Sequence, residues 1–587
     1  MNQPTGPVQL PGLDAAFLGL EAPRQSGHVG SLVVLDPSGL DVPFDLAHLR
    51  ALVAERLPRL GHFRRRLKHV PLGLDRPYWV DDVDFDLEYH VRELALAAPG
   101  TQDILLDAVA RVHERPLDLT RPLWECYVIS GLEGDKVAIY TKVHHAMIDG
   151  VTGVELFVAL IDLEPGELPG DPAPFEPAPE PSALGLLARA AVGMTKRPKD
   201  VVALAVAAAR YLPAMAFQTQ PMLSRLIGRS GAFEAAATPL LAPVTPFNTR
   251  ISAQRRIGLA RLPLEDLRTI KSAFGVSVND VVIALCAASI RDWLQRHGGA
   301  TNAPLVTMVP VALSGDRSGA AGNSVTAMFT PVPVHLEDPV ERLVAAHASS
   351  RAAKEHGAAV PQELYEGGIK FAPPILLSRA MRTFFELGVL RRVRTFNTVI
   401  SNIPGPDITL YLGGAVVETI YPLSIIVDGM GLNITLQGLG THLGVGVVGC
   451  RQAVPDAQSV ADGLLAEIDV LHVHEVAGVE AADGVEGLPA AGGAPRAAVD
   501  DEVLGPLGDL GGAVAVLDGD RGEAVAGRSR VGGPVVGVAL LGSAEHGDGG
   551  GGAADGLGDG VGGERPRIDG FDATGGEEIR HEGGTRI

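Results

Sequence analysis

The chain has 587 residues, too many for a single core, so two or more domains are expected. Apolar residues make up 46% of it, enough to fill large cores, and a net charge of −21 argues against nonspecific nucleic-acid binding. No apolar run reaches the roughly 18 residues of a membrane-spanning helix, the longest candidate at 201–217 being broken by Arg210 and Pro213. Residues 1–13 carry no basic segment and no long apolar stretch, so cytoplasmic residence is expected.

Residues 1–163 read as a first α/β unit. Residues 31–35 are a strand candidate, 46–57 a helix with apolar side chains at helical spacing, 78–80 a short strand and 104–114 a second helix. An alternating run at 137–143 reads as a strand, and the apolar run 151–163 as a helix. Between them stand His144-His145-Ala146-Met147-Ile148-Asp149-Gly150. A histidine at a strand end can be held from behind while its ring faces a cleft, and neutral imidazole is well matched to taking a proton near pH 7. Adjacent histidines on a strand point to opposite faces, so at most one of the two serves a cleft on one side. Gly150 supplies backbone freedom for the turn that follows. A zinc site is a poor fit, because His-Glu-x-x-His brings two rings together on a helix and no cysteine lies near this segment.

Residues 164–244 read as a proline-rich, acidic linker leading into amphipathic helices within 183–217, whose outer face either packs across domains or meets a membrane. A second α/β unit is expected over 245–474. It has helices at 264–274 and 279–294, a buried strand at 305–311, strands at 398–401, 416–420 and 432–436, and an apolar, basic stretch at 365–392. Cys126, Cys286 and Cys450 match no metal or redox spacing and read as buried free thiols. From Glu475 to Ile587 there are 21 acidic and 8 basic residues, Phe571 is the lone aromatic, and Lys, Asn, Gln, Met and Cys are absent. Such a segment, 475–587, has little with which to fill a core and is expected to be disordered; a natural extension and an out-of-frame translation of GC-rich DNA both fit its composition.

The His144–Gly150 segment resembles the HHxxxDG signature shared by chloramphenicol acetyltransferase and nonribosomal peptide condensation domains. Four further segments narrow the likeness: Leu13-Asp14-Ala15-Ala16-Phe17-Leu18 with His28-Val29-Gly30; Pro116 to Glu125 with Pro122-Leu123-Trp124; Val278-Asn279-Asp280-Val281-Val282; and Ser401-Asn402-Ile403-Pro404-Gly405-Pro406. In this order, over residues 10–465, the chain resembles the bacterial wax ester synthase/diacylglycerol acyltransferase family.

That resemblance implies two chloramphenicol-acetyltransferase-like halves with an interdomain tunnel, which acyl-CoA and the hydroxyl acceptor enter from opposite sides. It implies His145 as general base, direct acyl transfer through a ternary complex and no cofactor beyond the substrate acyl-CoA. Asp149 is expected to pair with an arginine and hold the loop rather than orient His145. Asn279 has an amide that could stabilise the oxyanion, with a helix N-cap as the competing role. Met147 and Ile148 read as packing residues, Pro122-Leu123-Trp124 as structural, and residues 401–406 as a structural loop near the domain interface. The expected acceptors, diacylglycerol or a long-chain alcohol, imply peripheral contact with the inner membrane face or lipid droplets. A carrier-bound acyl group with a condensation reaction is the alternative, and an idle lipid-binding scaffold a third reading that the intact His145, Asp149 and Gly150 oppose. The absence of Asp-Phe-Gly-Trp-Gly argues against plant-type alcohol acyltransferases.

Overall fold

A computed structural model describes residues 6–147, 160–166, 177–193, 242–299, 302–312, 325–357, 383, 387–388, 391 and 394–476. These fall in one compact unit. Two large sheets carry the architecture. The first has seven strands: β2 (His28–Asp36), β5 (Val91–Ala95), β6 (Trp124–Ser130), β7 (Val137–His144), β8 (Ile161–Asp162), β13 (Tyr411–Leu412) and β14 (Ala415–Leu423), in the order β5-β6-β7-β2-β14-β13-β8. The second has six: β9 (Arg255–Pro263), β10 (Leu305–Ala312), β11 (Val325–Val332), β12 (Thr398–Ile403), β15 (Leu432–Leu439) and β16 (His442–Cys450), ordered β11-β10-β12-β15-β16-β9. A three-stranded sheet of β1 (Val8–Gln9), β3 (Arg65–Lys68) and β4 (Tyr78–Asp81) completes the set, ordered β1-β4-β3.

Helix α1 spans Gly12–Leu18, α2 Leu46–Arg56, α3 Leu87–His90 and α4 Gln102–His113. Helix α5, Ala183–Gly193, packs Leu186 and Ala190 on Tyr78 and Val80 of the small sheet and on Val70 just beyond β3. In the second half α6 (Leu264–Phe274) ends on the left-handed Gly275, and α7 (Val278–Arg296) begins at a capping box in which Ser277 and Asp280 exchange backbone bonds. Helices α8 (Pro339–Gly357) and α9 (Ala457–Val476) pack beside α7.

The halves at 1–163 and 245–474 do not each keep their own sheet. Strand β14 leaves the second half and pairs antiparallel with β2, Val33 opposite Ile420, while β13 pairs with β8. Gly413 and Gly414, both at positive φ, make the two-residue turn between β13 and β14, and the twist of such a turn matches that of paired strands. Strand β8 corrects the end of the helix expected over 151–163: Leu160 is helical, but the helix does not continue past it. Ile161 pairs with Leu412, and Asp162 is bound by Arg56 at 2.7 and 2.9 Å, so this end of the run is a strand; residues 151–159 lie outside those described. Residues 401–403 likewise belong to β12, which leaves Pro404-Gly405-Pro406 as the loop.

Of the expected helical stretch at 183–217, α5 covers the described part, and most of 365–392 and all of 477–587 lie outside the described residues. The three cysteines are free and buried. Among the described residues no single helix is long and apolar enough to cross a membrane.

Candidate active site

Strand β7 alternates across the first sheet. Ile139 and Val143 enter the core shared with Trp124 and Val128, while Ala138 and Tyr140 enter a second core with Ile257, Val399 and Val448 of the other sheet. Lys142 and His144 continue the second row, both fully buried. Lys142 forms an ion pair with Glu125 at 3.1 Å and donates to the carbonyls of Val112 and Arg115 at the C-terminus of α4, where a cation meets the negative end of the helix. Burial lowers its pKa, with Glu125 opposing. Behind the strand end, His113 donates or accepts at Tyr140 Oη (2.7 Å), and burial, with Arg255 and Lys142 nearby, brings the His113 pKa down to about 3. His28, opposite His144 in register, meets the His113 carbonyl at 2.6 Å.

His144 ends β7 and is held from three sides. Its backbone N–H donates to Leu123 O (2.9 Å), the Ala146 N–H donates to its Nδ1 (3.0 Å), and its Nε2 lies 3.0 Å from Glu21 Oε1. Because Nδ1 accepts, the ring proton sits on Nε2 and points at the carboxylate. Glu21 Oε1 also accepts from Gly27 N–H at 2.6 Å. A Cβ on Gly27 would stand 2.8 Å from His144 Nε2, so the residue must be glycine for the strand to approach this closely.

His145 opens a short 3-10 turn, His145–Met147, rather than continuing the strand. The turn, not strand alternation alone, separates the two rings. The His145 N–H donates to Gly27 O (2.7 Å), and its ring stacks on Phe17 with centroids 3.7 Å apart and planes 18° from parallel. Nδ1 is buried without a well-aligned partner among the described residues, its own carbonyl being the acceptor that pulls the pKa up. Burial outweighs that pull, with His144 adding to it, and brings the His145 pKa down to about 4. The imidazole is therefore neutral at pH 7 and able to receive a proton.

Glu21, Phe17 and Gly27 close a ring of contacts around both histidines. Sequence reasoning gave none of them a role, although Phe17 stood in a quoted segment and Glu21 and Gly27 lie between two of them. The other sequence candidates divide. Met147 is buried as expected, whereas Ile148, Asp149 and Gly150, and with them the arginine expected for Asp149, lie outside the described residues. Trp124 is structural: its Nε1 donates to Phe63 O at 2.8 Å and its ring stacks on His90. Asn279 is not the cap of α7, a place taken by Ser277; it is the second helical residue, half-buried, and its amide has no hydrogen bond to another described residue. Asp280 accepts from Ser277 N–H and meets His347 at 2.8 Å; burial raises its pKa, but these bonds prevail and hold the carboxyl below its ordinary value.

A neutral histidine at the end of a central strand, in a sheet completed by a hairpin from the second half, belongs to a mixed α/β protein that presents an imidazole able to take a proton. The chain belongs to the wax ester synthase/diacylglycerol acyltransferase family: the family's catalytic domain matches residues 10–282 and its C-terminal domain residues 321–472. It is 36% identical over 464 residues to a putative diacylglycerol O-acyltransferase of Mycobacterium tuberculosis strain CDC 1551, covering 78% of this chain and 88% of that one. A probable diacylglycerol O-acyltransferase of the same strain is 34% identical over 460 residues, 76% of this chain and 94% of that relative. The wax ester synthase/diacylglycerol acyltransferase from Marinobacter aquaeolei VT8 has a similar structure, with a TM-score of 0.58, 27% identity, 80% of this chain covered and 100% of that one.

Proposed function

We propose that the protein transfers a long-chain acyl group from acyl-CoA to the hydroxyl of diacylglycerol, forming triacylglycerol, or to a long-chain alcohol, forming a wax ester. The observation that carries the chemistry is the neutral, stacked His145. It takes the hydroxyl proton of the acceptor as that oxygen attacks the thioester carbonyl. The tetrahedral intermediate then collapses, the carbon–sulfur bond breaks, and the departing CoA sulfur receives the proton from His145. The proton balance closes on one base, so no serine or cysteine nucleophile and no cofactor enters. Asn279 is the proposed donor to the oxyanion, a role supported by its amide having no partner among the described residues. Donor and acceptor are proposed to reach His145 through a tunnel between the halves.

The acceptors are membrane lipids, and we place the enzyme at the inner membrane face or the lipid-droplet surface as a peripheral visitor. Support comes from α5, whose outer face exposes Leu184 (79%) and Val192 (58%). Incubating the purified enzyme with labelled long-chain acyl-CoA and either diacylglycerol or hexadecanol, then separating the lipids, tests the reading. Labelled triacylglycerol or wax ester is expected. Label that stays with CoA or appears solely as free acid would overturn it.

A further inference from the structure

The chain is strongly acidic overall, yet one place beside the site gathers exposed arginines that form no ion pair with another described residue. Its hub is Arg255, buried at the start of β9. The Arg255 guanidinium donates to the carbonyls of Ser252, Ala253 and Gln254, at 2.6, 3.0 and 3.2 Å, and through Nη2 to Arg24 O at 2.9 Å. Its backbone N–H donates to Glu114 Oε2 at 3.3 Å, and Gln254 O receives the N–H of Arg451 at 3.2 Å. Arg24 is thus tied to this buried residue by one bond, and Arg115 and Arg451 by one bond and one neighbour each. All three side chains are exposed, and none has an ion pair with another described residue. Arg24 is displayed by a tight turn closed by reciprocal bonds between Ala22 and Gln25, and Gln25 is itself buried and accepts from Asp428 N–H at 2.9 Å.

The nearby acids are already engaged: Glu114 by Arg255, Glu21 by His144 and Gly27, and Asp428 by Ile251 N–H and Arg391. These bonds leave the carboxylates charged, but Arg24, Arg115, Arg255, Arg391 and Arg451 outnumber Glu21, Glu114 and Asp428, so the local field is positive and draws a polyanion. The place is tied to the chemistry from two sides. Arg24 is three residues from Gly27, whose carbonyl receives His145 N–H, a span of at most about 11 Å of chain. The Arg115 carbonyl receives Lys142 Nζ, two residues before His144.

We propose that Arg24, Arg115 and Arg451 form the docking site for the diphosphate and 3′-phosphate of the acyl-CoA donor, with Arg255 as the scaffold that sets their spacing. The pantetheine arm separates those phosphates from the thioester, so the donor needs its phosphates held beside His145 rather than at it. This rests on the acyl-CoA reading above. Guanidinium groups suit the task because each offers two parallel N–H donors to a phosphate.

The test compares two donors on the full-length enzyme: a long-chain acyl-CoA, and the same acyl chain on pantetheine, which has no phosphate. Arg24→Gln, Arg115→Gln and Arg451→Gln are each expected to lower the ratio of kcat/KM for acyl-CoA to that for acyl-pantetheine roughly threefold, and the triple variant roughly thirtyfold. Arg268→Gln, an exposed arginine on α6 outside the cluster, should leave the ratio alone. Calorimetric titration of CoA itself, needing no turnover, should show weaker binding to the triple variant. Binding of CoA by the parent without transfer of any acyl group would sink the acyltransfer reading and keep the docking site. An unchanged donor ratio in the triple variant would overturn the docking site; if the same variant also lost recovery on anionic phospholipid vesicles, the arginines would belong to a membrane contact instead.

Discussion

His144 and His145 stand next to each other and do different work. His144 has one nitrogen committed to Ala146 N–H and the other to Glu21, so it has nothing left to offer a substrate. His145 has its face against Phe17 and its basicity set by burial. His144→Ala should then damage stability at least as clearly as rate, because it strands a half-buried carboxylate. Glu21→Gln keeps an oxygen that accepts from both Gly27 and His144, whereas Glu21→Ala leaves two donors unsatisfied at a cost of about 1–3 kcal/mol. The glutamine variant is expected to retain most of the parent's rate and melting temperature and the alanine variant to lose both; thermal scans beside initial rates decide it. Equal loss in the two would mean that the charge of Glu21, not its acceptor geometry, holds the site. The histidine pair was legible in the sequence because its seven residues form a pattern. Glu21 was not, because nothing in a local window reports a contact made across 123 positions.

Helices α2, α4, α6 and α7 and strands β7, β10 and β15 could be read from the chain, since each has a period that survives without its neighbours. Strand β14 could be read as a strand but not as a member of the first sheet, because partner choice depends on packing between distant segments. The hairpin that carries it there turns at Gly413 and Gly414. A Cβ on Gly414, at φ +85°, would stand 2.7 Å from Leu40 Cδ2. Gly414→Ala is expected to lower stability by about 1 kcal/mol or more, and Gly39→Ala, where nothing stands within 4 Å of the added carbon, to change it little. Denaturant unfolding of the two variants measures the difference. Equal midpoints would show that the hairpin tolerates a side chain at its turn.

For the molecule as a whole, buried neutral histidines couple folding to acid. Burial takes the pKa of His145, His90 and His442 down to about 4 and that of His113 to about 3, and holds His28 well below its ordinary value. In the unfolded chain these groups titrate near 6.5. Between pH 6.5 and 4 the unfolded state therefore binds more protons than the folded one, so stability is full above pH 6.5 and falls as the solution is acidified through that window. Melting temperatures at a series of pH values test this; a flat profile from pH 7 to 4.5 would show that the histidines titrate normally. Truncation after Val476, where α9 ends and beyond the residue-472 limit of the family match, should keep the enzyme active, as judged by specific activity.

The central claim is that His145 moves the proton. Rates of labelled acyl transfer to diacylglycerol by the parent and by His145→Ala, both verified as folded by their thermal unfolding, test it most directly. A fall of roughly a hundred- to ten-thousandfold with little change in melting temperature is the expected result. A folded His145→Ala enzyme that transfers acyl groups within a few fold of the parent would contradict it and move the base to another residue.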